Sequence, residues 1–132
     1  SAASDVYKRQ ALLKESYEHS EVCVKMKRII QSYKKTDKSN ERFDEEDWKQ
    51  LIAETDIRWN DITIRLAAKY PLSQDEIYLC CLHLTDIPTS HFRYLMECSR
   101  DAIYKKGKRI LEQKMKCTDK SISLREFLEQ FL

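Results

Sequence analysis

Apolar residues recur along this chain at spacings of three and four, segment after segment, which is the signature of helices that each bury one face. In residues 11–35, Leu12 and Leu13 are followed by Val22, Met26, Ile29 and Tyr33 at steps of four, three and four, an a/d stripe. His19-Ser20 interrupts the pattern, and Ser20 is placed to cap a second helical piece. The stripe has two readings: an amphipathic helix packed on its own domain, or a coiled coil joining two copies as a homodimer. A polar connector without periodicity follows at residues 34–42, KKTDKSNER. Asp44 then reads as an N-cap with Asp47 three positions on, and Phe43 and Trp48 are placed as a hydrophobic staple. Trp48, Leu51, Ile52, Trp59, Ile62 and Leu66 share one face, so the spacing predicts a single long helix to about residue 70, stopped by Pro71. Both tryptophans lie on that apolar stripe and read as core anchors.

The second half is punctuated more sharply. Ser73-Gln74-Asp75-Glu76 is a capping box that opens a helix through Ile77, Leu79, Cys80, Cys81 and Leu84, and Thr85-Asp86-Ile87-Pro88 breaks it. A helix of about two turns is expected over residues 90–96, with Phe92, Leu95 and Met96 facing inward. Glu97-Cys98-Ser99 makes a tight turn whose serine caps a helix over residues 99–116. In that helix Ala102, Ile103, Ile110, Leu111 and Met115 line one side. At about 100° per residue Lys105, Lys108 and Arg109 fall on the other. Short helix, tight turn and longer basic helix is the order of a helix-turn-helix. A second S-x-x-E box at Ser123 and Glu126 opens a last helix whose Leu124, Phe127, Leu128 and Phe131 fold back on the domain.

Composition narrows the class. One glycine and two prolines in 132 residues are too few for a turn-rich sheet protein, and 42% apolar with 35% charged content fits one modest all-α domain with a helical extension. No apolar run approaches the roughly 20 residues that span a bilayer, so no membrane contact is expected of this segment. The five cysteines, an odd number without a C-x-x-C pair, suggest reduced thiols in a cytoplasmic protein, neither a disulfide framework nor a zinc site. The net charge of +2 conceals an asymmetry: residues 100–120 hold eight Lys/Arg against three Asp/Glu, which leaves the remainder net negative. A polyanion contact at that end is the expectation.

Catalytic patterns are not found. His19, His83 and His91 fall in separate segments without a shared ligand spacing, and His83 beside Leu82 and Leu84 reads as a packed histidine. There is no nucleophile elbow, phosphate-cradling glycine loop or carboxylate cluster. No enzyme activity, metal or small-molecule cofactor is expected.

Residues 1–10, SAASDVYKRQ, are read as foreign to the natural chain, because they back-translate without mismatch to TCG GCA GCG TCA GAT GTG TAT AAG AGA CAG, which resembles a transposon adapter used in sequencing libraries. The natural sequence is then expected to start near Ala11, with its N-terminal part missing. Residues 11–42 form the helical extension and connector, and residues 43–132 the helix-turn-helix domain.

Residues 72–115 resemble the LuxR/GerE-type helix-turn-helix family: Leu72-Ser73 with Glu76 matches the opening of the first helix, Phe92 takes the isoleucine place, Ser99 the cap, and Ile103 with Ile110 the recognition-helix pair. More broadly, Asp47-Trp48 with Leu51, the Tyr70-Pro71-Leu72 junction, Arg109-Ile110 and the closing Leu-x-x-Phe resemble the C-terminal part of Bacteroidetes regulators, in which tetratricopeptide repeats, a membrane helix and a coiled coil precede such a domain. The sequence departs from the family at Thr85-Asp86, where a glycine is usual, at Arg93 in place of a small alanine, and at Gly107 inside the recognition helix. Glu97, Asp101 and Glu112 also place acids near the cationic face. The resemblance implies a DNA-binding output domain of a transcriptional regulator acting on double-stranded DNA. Arg100, Lys105, Lys108 and Arg109 would be offered to bases or phosphates, Lys106 and Lys114 at the margins, and Ser99 with the helix N-terminus to a phosphate. The alternative is a helical protein-interaction or dimerisation module whose helix-turn-helix has lost DNA affinity.

Overall fold

The computed structural model describes residues 1–131, so Leu132, the last residue of the expected 43–132 domain, lies outside the described residues. Every regular element among them is helical: α1 (Ala2–Glu18), α2 (Glu21–Thr36), α3 (Glu45–Arg58), α4 (Ile62–Lys69), α5 (Gln74–His83), α6 (Phe92–Met96), α7 (Arg100–Arg109) and α8 (Leu124–Glu129). A single 3₁₀ turn, Thr89–His91, leads into α6, and a π-helical turn, Ile110–Lys114, extends α7. The all-α expectation holds.

The helix starts follow the sequence signals. The Ser20, Asp44, Ser73, Ser99 and Ser123 side chains each accept a hydrogen bond from the backbone N–H three residues on, and at Asp44, Ser73 and Ser123 the acid at that third position reaches back to complete the box. Phe43 meets Trp48 edge-on at 4.7 Å between ring centroids, the expected staple. Trp48 in turn stacks on Tyr78 of α5 at 4.4 Å.

At the centre lies α5, whose residues from Glu76 through Leu82 are all buried. Helices α3, α4, α7 and α8 pack around it, while α2 lies across α3 and α6, and α1 rests on α2 and α3. Val22, Met26 and Ile29 of the a/d stripe sit inside this one core, and Tyr33 stacks on Tyr94 of α6 at 4.8 Å. Of the two readings of that stripe, the packed one describes this conformation, and residues 20–36 belong to the same core as α5, α6 and α7. Helix α1 runs on through residues 2–10, all of them exposed; its buried residue is Tyr17.

Two expectations are corrected. The long helix to residue 70 is broken at Trp59, Asn60 and Asp61, giving α3 and α4. Asn60 and Asp61 both adopt left-handed backbone, at φ 53° and 57°, a conformation that Asn and Asp tolerate better than other side chains. The corner is held by the Asp56 carboxylate, which accepts from the Thr63 N–H at 2.8 Å and its hydroxyl at 2.6 Å. The Arg65 guanidinium donates to the carbonyls of Trp59, Asn60 and Phe131. The three-residue step from Trp59 to Ile62 keeps both apolar residues in phase across the break, which is why periodicity alone concealed it.

The second correction concerns the basic helix, which leaves α geometry after Arg109. The Met115 N–H donates to the Ile110 carbonyl at 2.8 Å, a five-residue step. In an α-helix Met115 would stand about 140° round from Ile110; the wider turn brings both into the core, where they are 5% and 0% exposed. The Cys117 N–H then donates to the Leu111 carbonyl at 2.9 Å across left-handed Lys116, a six-residue step one longer than the closing bond of a Schellman end.

Gly107 lies in this helix with an ordinary helical backbone. A methyl group there would meet Leu79 Cδ2 at 3.9 Å and Leu124 Cδ2 at 4.0 Å, normal van der Waals contact. Packing therefore does not demand glycine. Gly107→Ala is expected to stabilise the fold by about 0.5–1 kcal/mol, read as a higher urea midpoint with an unchanged slope; a lower midpoint would mean the helix needs the missing side chain.

Candidate nucleic-acid interface

Helices α5, α6 and α7 follow one another in the order expected of a helix-turn-helix, and each is fixed by its own chemistry. At the start of α5 the Ser73 N–H donates to Glu76 Oε1 at 2.8 Å. Burial alone would raise the pKa of this carboxyl, but the Ser73 hydrogen bonds and Lys114 outweigh it and hold Glu76 below the ordinary glutamate value. Helix α6 buries Phe92 and Leu95, and His83 meets the Phe92 ring edge-on at 5.1 Å. Desolvation lowers the His83 pKa to about 4, so this residue is a neutral packed imidazole. Arg93, in the place where the resembled family carries a small alanine, is exposed; its guanidinium lies over the Tyr94 ring and donates to the Tyr94 hydroxyl at 2.8 Å. The turn is made by Glu97 in left-handed backbone, φ 54°, followed by Ser99, whose hydroxyl accepts from the Ala102 N–H at 3.0 Å.

Helix α7 lays Ile103 and Ile110 into the core, with Gly107 close against α5 and α8. Ala102, expected on the packed side, is exposed. The outward face carries Asp101, Tyr104, Lys105, Lys108, Arg109 and Glu112, with Arg100 at the exposed first turn. Among the described residues, Arg100, Lys108 and Arg109 have no carboxylate within ion-pair distance, whereas Lys105 pairs with Asp101 at 2.9 Å. The sequence pattern therefore brings Ser99, Arg100, Lys105, Lys108 and Arg109 together on one exposed helix.

The two marginal cations are placed differently. Lys106 is half-buried at the edge of the packed face and points toward α5, 4.0 Å from Asp75. Lys114, one turn beyond buried Ile110, donates to the Pro71 carbonyl at 2.9 Å and lies 3.6 Å from Glu76. It ties the end of the basic helix to the start of α5. Tyr104, 67% exposed among the cations, is the residue the sequence reading passed over, although its position next to Ile103 turns it about 100° away from the core.

The remaining chemistry is sparse. Burial pushes the thiols of Cys80 and Cys81 far above the ordinary cysteine range, Cys81 to about 12, so neither offers a thiolate near neutral pH. Among the described residues no three His, Cys, Asp or Glu side chains are grouped to hold a metal ion, and no helix is long and apolar enough to cross a membrane. Compared with protein-family models, curated proteins and solved structures, the chain matches none.

Because Lys114 neutralises a buried carboxylate, its role is measurable apart from any ligand. Lys114→Ala is expected to cost about 1–3 kcal/mol in urea unfolding; unchanged stability would show that the contact contributes nothing.

Proposed function

We propose that this chain is the DNA-binding output domain of a transcriptional regulator, a LuxR/GerE-like helix-turn-helix whose α7 enters the major groove of double-stranded DNA. The observation that carries the proposal is the division of α7. Ile103 and Ile110 fix one side in the core, and the opposite side offers Lys108 and Arg109, unpaired among the described residues, with Lys105 beside them and Arg100 exposed at the first turn. An exposed basic helix held rigidly behind a tight turn is what groove docking requires. Ser99 and the first free N–H groups of α7 suit a backbone phosphate, and the flanking lysines suit others. Tyr104 adds an aromatic surface among them. The reading is of a domain that serves a longer regulator in a reducing, cytoplasmic setting, where its free cysteines remain thiols.

A second reading is favoured by one observation: Asp101 and Glu112 share the outward face with the cations, which suits a protein partner of mixed charge. Salt dependence separates the two. With mixed-sequence duplex DNA, each phosphate neutralised contributes roughly 0.9 to the slope of log affinity against log salt, so three or four contacts give a slope near −3. The paired substitution Lys108→Ala and Arg109→Ala is expected to reduce that slope by roughly two and to leave helicity by circular dichroism unchanged. A flat salt response, or an unaffected double variant, would overturn the proposal in favour of the interaction module.

A further inference from the structure

Glu97 sits in the turn that launches α7, two residues before its cap, so its carboxylate stands where a DNA backbone would approach the helix N-terminus. A bare acid there repels phosphates. It is not bare: Arg42, from the connector between α2 and α3, donates through Nε to Glu97 Oε1 at 2.8 Å and through Nη2 to Oε2 at 2.7 Å. This two-pronged contact joins residues 55 apart in sequence. It spans the rim of a cleft of about 900 Å³ floored by Phe43, Trp48, Tyr78 and Leu95. Two acids near Arg42 in sequence already have partners, Glu41 with Arg28 at 2.6 Å and Asp47 with Lys25 at 2.6 Å, and Arg42 pairs with Glu97. The fold does not need the pair, since both side chains are well exposed, 76% and 42%, and exposed pairs add little to stability.

We infer that Arg42 is a positioning residue of the DNA interface, a remote cation that masks the charge of Glu97 and so makes the connector part of the binding surface. The inference rests on the DNA-binding reading of α7. The same device recurs beside it, where Lys105 masks Asp101. Arg42 fastens on both carboxylate oxygens, which fixes its charge over the acid more firmly than a single contact would. The Arg42 hydrogen bond likewise holds the Glu97 pKa below the ordinary glutamate value, so the acid is ionised wherever the pair is tested near neutral pH.

The test is a four-way comparison by fluorescence anisotropy with labelled mixed-sequence duplex DNA at about 0.05 M salt, where screening is weak. Arg42→Ala is expected to weaken binding roughly three- to tenfold by exposing one charge near several phosphates. Glu97→Gln alone should not weaken it, and Arg42→Ala with Glu97→Gln should restore the affinity of the unsubstituted protein. Persistent weakening in the double variant would overturn the inference and make Arg42 a direct phosphate contact. Normal binding by Arg42→Ala would also overturn it, by placing Glu97 away from the DNA. Absence of binding by the unsubstituted protein would overturn the functional proposal together with this inference, which distinguishes the two failures.

Discussion

Everything in this fold is arranged around the burial of α5. A ten-residue helix that hides Glu76, Ile77, Tyr78, Leu79, Cys80, Cys81 and Leu82 has no solvent face to spare, so other helices must cover it on every side. The carboxylate of its one charged buried member, Glu76, has two partners at Oε1, the Ser73 N–H at 2.8 Å and Lys114 at 3.6 Å. Removing a carboxylate from water is costly unless such partners are present. The start of the central helix and the end of the basic helix are thereby fixed to each other.

That constraint decides what α7 can present. Because α5 and α8 claim the side with Ile103, Gly107 and Ile110, the cations are left facing outward as a consequence of packing. The π turn extends the same logic: it turns Met115 inward at the cost of regular helix geometry. The chain solves its bends almost without glycine. Left-handed backbone falls on Asp37, Asn60 and Asp61, which tolerate it, and on Glu97 and Lys116, where it costs about 1–2 kcal/mol per residue. Glu97, which shapes the turn before α7, is also the acid whose charge Arg42 covers.

Much of this was legible in the residues. The five caps, the Phe43 and Trp48 staple, the break at His19-Ser20 and the order of α5, α6 and α7 all rest on local patterns that mean the same thing in sequence and in space. Two features were not. The break at Asn60-Asp61 was masked by apolar residues that stay in phase across it, although the Asn-Asp pair was itself a local hint. The π turn goes with the burial of Met115 in the core, which is tertiary information. The cationic face was legible as a face, through the 100° rule, but the sorting of its members was not. Lys106 and Lys114 lie near helix ends whose partners come from α5, and Arg42 reaches Glu97 from 55 residues away.

The central claim is that the outward face of α7 meets DNA while α5 holds it rigid from behind. Amide chemical-shift mapping on isotope-labelled protein, titrated with duplex DNA, tests it most directly. The account predicts shifts concentrated at residues 97–109, strongest at the exposed Arg100, Tyr104, Lys105, Lys108 and Arg109, with the amides of buried α5 unmoved. Shifts gathered on the opposite surface, or none at saturating DNA, would contradict it.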